Sequence, residues 1–163
     1  MPQLAIIADT HVPTRADEIP EWVTDELENA DHTIHVGDFE SQETLETVRN
    51  HAMELTAVTG NMDSGLGLPE TTILEFSGRE FVVTHGTGDI DGYEERVAGI
   101  VREEGGDSAI GVSGHTHQVL DTEIDGVRLL NPGSATGADP ASTTSMMIVE
   151  VENGELDVTV RER

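Results

Sequence analysis

The sequence predicts an α/β sandwich in which a first, mainly parallel sheet packs against a second sheet, with helices on the outside. Three observations support this class. Over residues 4–58, short apolar runs alternate with amphipathic segments, which is typical of a parallel sheet with right-handed crossovers. Most of the later chain consists of strand-like segments of alternating polarity. Asp125-Gly126 and Asn153-Gly154 separate pairs of these segments as strong hairpin turns.

The first half of the chain is predicted to alternate strands and helices. Its predicted strands, each an apolar run ended by polar or turn residues, are 4–8, 33–36 and 54–58. Apolar residues at helical spacing from Ile19 to Ala30 predict the first helix, and Pro20 suits its first turn. Ser41 is a predicted N-cap for the second helix. Ligands of such sheets gather where the strands end, so the residues that follow these strands are the candidates for function.

The second half is predicted to contain one helix among many strands. The helix is indicated by apolar residues at helical spacing from Tyr93 to Val101, although Gly99 weakens it. Ser77-Gly78 is a predicted hairpin turn. The predicted strands are 71–76, 80–84, 108–113, 118–124, 127–131, 145–151 and 155–160. We expect residues 1–163 to form one domain, since the length suits one core and no linker or repeat interrupts it.

The charge of the chain is extremely acidic. There are 33 Asp and Glu residues against 8 basic residues, all of them Arg, and the net charge is −25. Such a surface repels itself in dilute buffer, and concentrated salt screens that repulsion. We therefore expect a protein from a salt-rich, halophilic cell, although an ordinary acidic protein is the alternative. The same charge argues against stable nucleic-acid binding, which needs Lys and Arg to neutralise phosphates.

Composition excludes several other classes. The chain contains no cysteine, so it offers neither a disulfide framework nor a thiolate metal site. No apolar run approaches the length of a membrane span. Residues 4–8 lack preceding basic residues and read as a first strand rather than a signal peptide. A cytoplasmic location is the default expectation.

Candidate metal ligands follow the predicted strands in five fragments. The fragments are Asp9-Thr10-His11, Gly37-Asp38, Gly60-Asn61, Thr84-His85-Gly86 and Gly114-His115-Thr116-His117. Together they supply seven oxygen and imidazole donors, which is enough for two divalent cations. A donor set of this kind, without thiolate, favours manganese, iron, nickel or zinc and disfavours calcium, which takes only oxygen ligands.

The spacing of these donors suits a shared site. Asp9 and His11 are separated by one residue, so in extended backbone their side chains point the same way. Asp38 follows a glycine that permits a tight turn, and its two carboxylate oxygens could bridge two cations. Asn61 offers a neutral amide oxygen without adding charge.

In order and spacing, these fragments and Asn131-Pro132-Gly133-Ser134 resemble the calcineurin-like metallophosphoesterases, in their small YfcE-like phosphodiesterase branch. The resemblance covers almost the whole chain. It implies a four-layer αββα fold with two mixed sheets, manganese as the most usual metal, and a phosphodiester substrate. It assigns the first metal to Asp9, His11, Asp38 and His117, and the second metal to Asp38, Asn61, His85 and His115.

The mechanism implied by the resemblance is metal-assisted hydrolysis. Two cations roughly 3.5–4 Å apart would lower the pKa of a bridging water, and the resulting hydroxide would attack phosphorus in line. The implied catalytic residues are Asp38, Asn61 and His115, and Asn61 would also bind substrate by neutralising charge on the phosphoryl oxygens.

The chain departs from the family pattern in three places. Met62 stands where many relatives carry a His or Cys that could protonate the leaving group. Thr87 stands where relatives often complete a His-Gly-His motif, and Ala141 follows Pro140 in place of the frequent Arg. These changes spare the metal ligands and affect the expected substrate preference.

Other polar residues are interpreted as structural. His32 and His51 are predicted surface residues, and His35 is predicted to lie in the core or to support a ligand. Asp63 could orient a neighbouring group or fix its loop. Arg15 could contact phosphate or form a surface ion pair.

The leading hypothesis is a metal-dependent phosphodiesterase acting on a small or nucleotide-like ester. A second hypothesis, from another class, is a non-catalytic scaffold, because the vacuolar sorting subunit of retromer resembles this branch and works as a binding module. A phosphomonoesterase is the third. Oligomeric state and physiological substrate are left open by the sequence.

Overall fold

A computed structural model describes residues 2–163, which form two five-stranded sheets flanked by three helices. The strands are β1 (Gln3–Ile7), β2 (His32–His35), β3 (Leu55–Ala57), β4 (Thr71–Phe76), β5 (Arg79–Thr84), β6 (Ile110–Val112), β7 (Val119–Ile124), β8 (Val127–Pro132), β9 (Ser145–Glu152) and β10 (Glu155–Glu162). The helices are α1 (Glu21–Asn29), α2 (Gln42–His51) and α3 (Tyr93–Glu104). The predicted fold class, with two mixed sheets, is confirmed.

Each sheet combines parallel and antiparallel pairs. The first sheet has the order β10-β9-β1-β2-β3, and β1, β2 and β3 are parallel as predicted. The second sheet has the order β4-β5-β6-β8-β7, in which β5, β6 and β8 are parallel. The polar segments that follow the parallel strands therefore gather at the strands' carboxyl ends.

Three apolar clusters hold the layers together. Leu4 and Ile6 of β1 face the cluster between the two sheets, where they pack with Val83 and Val112. Alternate residues of β1 face a second cluster beneath α1 and α2. A third cluster joins the outer face of the second sheet to α3. Because β1 is buried on both faces, its sequence is a continuous apolar run rather than an alternating one.

The element boundaries differ from the predicted ones by a few residues. Pro20 is the N-cap residue of α1 and precedes its first turn. Ser41 caps α2 as predicted, since its side chain accepts a hydrogen bond from the Thr44 N–H. The strand predicted over residues 108–113 is restricted to β6, because the flanking segments carry the turn before it and a site loop after it. No helix within residues 2–163 has the length and apolar character to cross a membrane.

Candidate metal centre

The predicted donors lie on loops that follow five strands. They are Asp9 and His11 after β1, Asp38 after β2, Asn61 after β3, His85 after β5, and His115 and His117 after β6. Backbone hydrogen bonds join these loops within and between the sheets. The Asp9 N–H donates to the Gly37 carbonyl at 3.0 Å, and the Gly114 N–H donates to the His85 carbonyl at 3.1 Å. All seven donor side chains consequently gather in one place.

A first cluster contains Asp9, His11, Asp38 and His117, all buried, with one donor atom of each within 4.8 Å of the others. The Nε2 atom of His11 lies 3.2 Å from Nε2 of His117 and 3.4 Å from Oδ2 of Asp38. Oδ1 of Asp9 lies 3.6 Å from Nε2 of His117. Two carboxylates and two imidazoles thus converge on one point, which is a donor set suited to a divalent transition metal.

A second cluster contains Asp38, His85 and His115, again with donor atoms within 4.8 Å of one another. Asn61 joins it, because its Oδ1 atom lies 3.1 Å from Nε2 of His85 and 3.2 Å from Nδ1 of His115. Oδ2 of Asp38 lies 3.2 Å from Nε2 of His85. Asp38 is therefore shared by the two clusters and lies between them.

Each of the four imidazoles in the clusters is held through the nitrogen that faces away from its cluster. The pairs are His85 Nδ1 with the Val36 carbonyl at 2.7 Å, His117 Nδ1 with the Ala138 carbonyl at 2.8 Å, His115 Nε2 with the Gly88 carbonyl at 2.9 Å, and His11 Nδ1 with the Glu40 carboxylate. An acceptor at the outer nitrogen fixes the tautomer that leaves the inner nitrogen unprotonated. With a cation in each cluster, all four rings would act as neutral ligands. For His85 alone, burial lowers the pKa, but the hydrogen bond to Asp38 and the charges of Asp9 and Asp38 raise it overall.

Asp9 has an oxygen that needs a partner. Its Oδ2 atom accepts a hydrogen bond from the His115 N–H at 3.1 Å, whereas its Oδ1 atom is buried without a hydrogen-bond partner and faces the first cluster. Burial raises the pKa of Asp9 to about 7. A cation in the first cluster would supply the missing partner and favour the ionised carboxylate, so the residues present fit a bound metal.

Asp38 has the opposite electrostatic character. Burial by itself raises its pKa, but the hydrogen bond and charge of His85, with the Met62 N–H, lower that pKa to about 2. Oδ1 accepts the Met62 N–H at 2.9 Å, which leaves Oδ2 facing the imidazoles of both clusters. An ionised carboxylate in this position can bridge two cations.

Two glycines allow the loops to approach one another. A Cβ added at Gly60 would lie 2.2 Å from Oδ1 of Asp38. A Cβ added at Gly37, whose φ is +101°, would lie 2.8 Å from both the Gly60 nitrogen and Nδ1 of His85. Both positions therefore exclude a side chain.

Residues outside the two clusters support the loops. Asp63 takes both of the roles left open for it. Its carboxylate accepts hydrogen bonds from the N–H of Gly60 in its own loop and from the N–H groups of Asp38 and Glu40 in the neighbouring loop, at 2.6 to 3.0 Å. Ser134 donates its hydroxyl to the Asp9 carbonyl at 2.7 Å, and Asn131 donates to the Gly114 carbonyl at 3.1 Å. The Asn131–Ser134 segment thus connects the loops that follow β1 and β6.

The predictions for the remaining histidines have mixed outcomes. His35 is buried, lies 3.2 Å from the Thr10 hydroxyl and stacks on Phe39, so its predicted place in the core is confirmed. The surface prediction for His32 is wrong. It lies in β2, where its ring is covered and bonds to the Thr56 hydroxyl at 2.7 Å. His51 is partly exposed and pairs with Glu28.

The arginines nearest the clusters are engaged with backbone carbonyls. Arg15, for which a phosphate contact or a surface ion pair was expected, is exposed and donates to the Asp139 carbonyl at 2.9 Å. Arg96 donates to the carbonyls of Gly86 and Asp89 at 3.0 Å, in the loop that holds His115. None of these three hydrogen bonds is made to a carboxylate.

Glu40 and Tyr93 belong to the site and are absent from the sequence predictions as site residues. The Tyr93 hydroxyl lies 2.6 Å from the Gly114 carbonyl and so helps to hold the loop of His115 and His117. Burial raises the pKa of Tyr93 to about 12. In a chain with 33 acidic residues, nothing in the sequence distinguishes Glu40 from the others. Its positive φ and its contact with His11 become apparent only in the fold.

A cavity of about 300 Å³ opens beside Asn61 and His85, and most of the residues that line it, including Thr87 and Glu70, are of polar type. Met62, which is 45% exposed, follows Asn61. The metal centre is thus accessible from this side to a small molecule.

The fold and these ligand clusters are those of a calcineurin-like phosphoesterase. Residues 3–154 match the calcineurin-like phosphoesterase superfamily domain, and the chain belongs to that family, as the motifs predicted. Two archaeal relatives are similar in sequence. A probable metallophosphoesterase of Methanothermobacter thermautotrophicus is 33% identical over 159 residues, covering 96% of this chain and 90% of the relative. A probable metallophosphoesterase of Methanocaldococcus jannaschii is 40% identical over 138 residues, covering 82% and 68%.

Among solved structures, a similar fold is found in Vps29. Vps29 from Entamoeba histolytica, solved in complex with Zn²⁺, is 29% identical to this chain and superposes with a TM-score of 0.79, covering 98% of both chains. Family membership together with the His and Asp clusters supports a metal-dependent phosphoesterase that binds divalent metal.

Proposed function

We propose that this protein is a phosphodiesterase that uses two divalent metal ions, with manganese as the expected metal, to hydrolyse a small phosphoester. The observation that carries the proposal is the position of Asp38 between two clusters that together contain all seven predicted donors. Asp9, His11 and His117 would hold one ion, Asn61, His85 and His115 the other, and Asp38 both. When bound, the ions would supply Lewis acidity and lower the pKa of water.

The protein side chains position these groups and the substrate. Nε2 of His11, His85 and His117 and Nδ1 of His115 face inward, because their other nitrogens are engaged. The Asn61 amide bears no charge, so its nitrogen can donate to a phosphoryl oxygen while its oxygen acts as a ligand. His115 contacts Asn61, which lines the cavity, and His115 is less buried than His85. It is therefore well placed to contact substrate.

Charge favours a diester over a monoester. A phosphodiester carries one negative charge, whereas a phosphomonoester carries nearly two at neutral pH. Arg15 and Arg96 already donate to backbone carbonyls, so these N–H groups are not available to bind the second negative charge of a monoester. In a chain with a net charge of −25, the singly charged ester is repelled less. Because Met62 cannot donate a proton, we also expect a preference for esters with good leaving groups.

Hydrolysis of bis-p-nitrophenyl phosphate tests the proposal, with p-nitrophenyl phosphate as the competing monoester, manganese as the metal and concentrated KCl in the buffer. Faster turnover of the diester supports it. Asp38→Asn should abolish turnover, while Asp157→Asn, the same change at an exposed position of β10, should leave it intact. Retained activity in Asp38→Asn, or faster turnover of the monoester, would contradict the proposal.

A scaffold function is the second candidate, and the similarity to Vps29 favours it. The two functions differ in what the metal centre does once it is loaded. A protein that binds manganese without hydrolysing any of a panel of phosphoesters would favour the scaffold. The complete donor set favours catalysis.

A further inference from the structure

The geometry points to Glu40 as a positioning residue that holds His11 and makes the first cluster the tighter of two unequal metal sites. This inference rests on the proposed function. Glu40 lies two residues after Asp38. Its carboxylate contacts Nδ1 of His11 and accepts a hydrogen bond from the Thr14 hydroxyl. Its side chain is 6% exposed. An acidic group so placed at the rear of a ligand acts on the metal through that ligand.

The backbone of Glu40 supports a special role. Nine non-glycine residues within 2–163 have positive φ. Three of them, Ser77, Asp125 and Asn153, precede glycine in hairpin turns. The other six are Asp9, His11, Asp38, His115, His117 and Glu40. Five of these six are predicted metal ligands, and Glu40 is the sixth.

The left-handed conformation is harder to explain for Glu40 than for the ligands. Asp, Asn and His adopt it more readily than a Glu does. Glu40 has a φ of +80°, and its N–H donates to Asp63 Oδ1 at 2.7 Å. The surrounding loops therefore impose this conformation, and its result is to turn the carboxylate back towards His11. Such imposed conformations cluster at functional sites.

The acceptor behind His11 differs from the acceptors behind the other three imidazoles. His85, His115 and His117 donate to backbone carbonyls, whereas His11 is paired with a carboxylate. A carboxylate acceptor makes the imidazole a more basic ligand. The effect is confined to the first cluster, because His11 belongs only to that cluster.

The two clusters also differ in negative charge, because they contain different numbers of carboxylates. Asp38 is common to both. Each cluster also has two imidazoles. The first adds the carboxylate of Asp9 and, behind His11, that of Glu40, whereas the second adds no carboxylate and has the neutral amide of Asn61 instead. Metal affinity rises with the number of charged ligands. The first cluster should therefore fill first, and the second should fill only at higher metal concentration.

Calorimetric titration of Mn²⁺ into the metal-free full chain in concentrated KCl tests this inference. The variants are Glu40→Gln, which keeps an acceptor for His11 but removes the charge, and Glu40→Ala, which removes both. The matched control is Glu46→Gln, the same loss of charge at an exposed position of α2. The wild-type protein should show two unequal binding events.

The expected changes are selective. Glu40→Gln should weaken the tighter event about 10-fold and Glu40→Ala between about 10-fold and 100-fold, the range measured when a partner behind a metal ligand is removed. The weaker event, and both events in Glu46→Gln, should stay close to wild type. Thermal unfolding of the metal-free variants shows whether they fold.

Electron paramagnetic resonance provides a readout that a purely structural role would not change. With one equivalent of Mn²⁺, the wild-type protein should show the spectrum of an isolated ion. Glu40→Gln should already show the signal of coupled pairs, because its two sites are closer in affinity. If Glu40→Gln and Glu40→Ala leave both binding events unchanged, or weaken both events equally, this inference is wrong. The proposed function would not be affected by that result. Absence of Mn²⁺ binding by the wild-type protein would refute the proposed function and this inference with it.

Discussion

Left-handed backbone occurs in two kinds of loop in this protein, and the two kinds have different causes. In the hairpins, Asp125-Gly126 and Asn153-Gly154 both have positive φ at each residue, and a Cβ added at Gly126 would meet no atom within 4 Å. At the metal centre, a Cβ added at Gly37 would collide with the backbone of Gly60 and with His85. The hairpin conformation follows from local turn chemistry. The conformation at the metal centre is imposed by neighbouring loops.

The largest expected effect is the loss of hydrolysis in Gly37→Ala, for which Gly78→Ala is the matched variant. Gly37→Ala should lower manganese-dependent diester hydrolysis by about 100-fold or more, because its methyl group displaces ligands whose geometry must hold to within about 1 Å. Gly78 also has positive φ, +83°, but open space surrounds it. Gly78→Ala should cost about 1 kcal/mol of stability and leave hydrolysis unchanged. Initial rates and thermal unfolding of both variants are the measurements.

The comparison would fail if the two alanine variants lost activity equally or if Gly37→Ala kept full activity. Either result would mean that close packing at Gly37 does not maintain the metal centre.

The sequence predicts the hairpins and the ligands for different reasons. Asn153-Gly154 is recognisable from two residues, since the turn needs no information from elsewhere in the chain. His117 is recognisable because its fragment follows a strand and matches a family motif. Glu40 could not be predicted, because its role depends on a contact with His11, 29 residues away in the chain. The surface prediction for His32 is wrong for a similar reason, because its burial depends on neighbours in the folded protein, including Thr56 on the adjacent strand and Phe76.

Strand existence was more predictable than strand length. The run from residue 108 to residue 113 is apolar enough to indicate a strand, but only Ile110–Val112 pairs in the sheet. Ser113 and Gly114 are drawn into the site loop instead, through hydrogen bonds to the carbonyls of Leu130 and His85. Tertiary contacts that end a strand early leave little signal in its sequence.

The next largest effect is expected from salt on the melting temperature. It should depend on the acidic surface and not on either kind of loop. The net charge of −25 predicts that transfer from dilute buffer to multimolar KCl raises the melting temperature by about 5 °C or more, roughly 2 kcal/mol for a chain of this size. Gly37→Ala and Gly78→Ala should show the same increase, since the screened charges lie elsewhere. A melting temperature independent of KCl would contradict the predicted halophilic character.

The smallest expected effect is the contribution of His35, a buried imidazole, to the pH dependence of folding stability. Burial lowers the pKa of His35 well below its ordinary value of 6.5. The unfolded chain therefore takes up a proton at this residue as the pH falls below 6.5, while the folded protein does not. The contribution of His35 to stability is full above pH 6.5 and declines below it. Between pH 7.5 and 5.5 the expected loss is about 1.4 kcal/mol.

Denaturant unfolding of metal-free wild type and His35→Gln at both pH values measures this loss. The variant should lose less stability than wild type over this interval, by about that amount. The hairpin variant Gly78→Ala should follow the wild-type pH dependence. Equal pH dependence in wild type and His35→Gln would show that His35 does not stay neutral in the fold.

In the proposed metal centre, seven side chains from five loops hold two metal ions with Asp38 between them. Anomalous diffraction from crystals grown with manganese would locate these ions. We expect two anomalous peaks on opposite sides of the Asp38 carboxylate, one beside His11 and His117 and the other beside Asn61 and His85. A single peak, a pair of peaks elsewhere, or no peak at this position would contradict the claim.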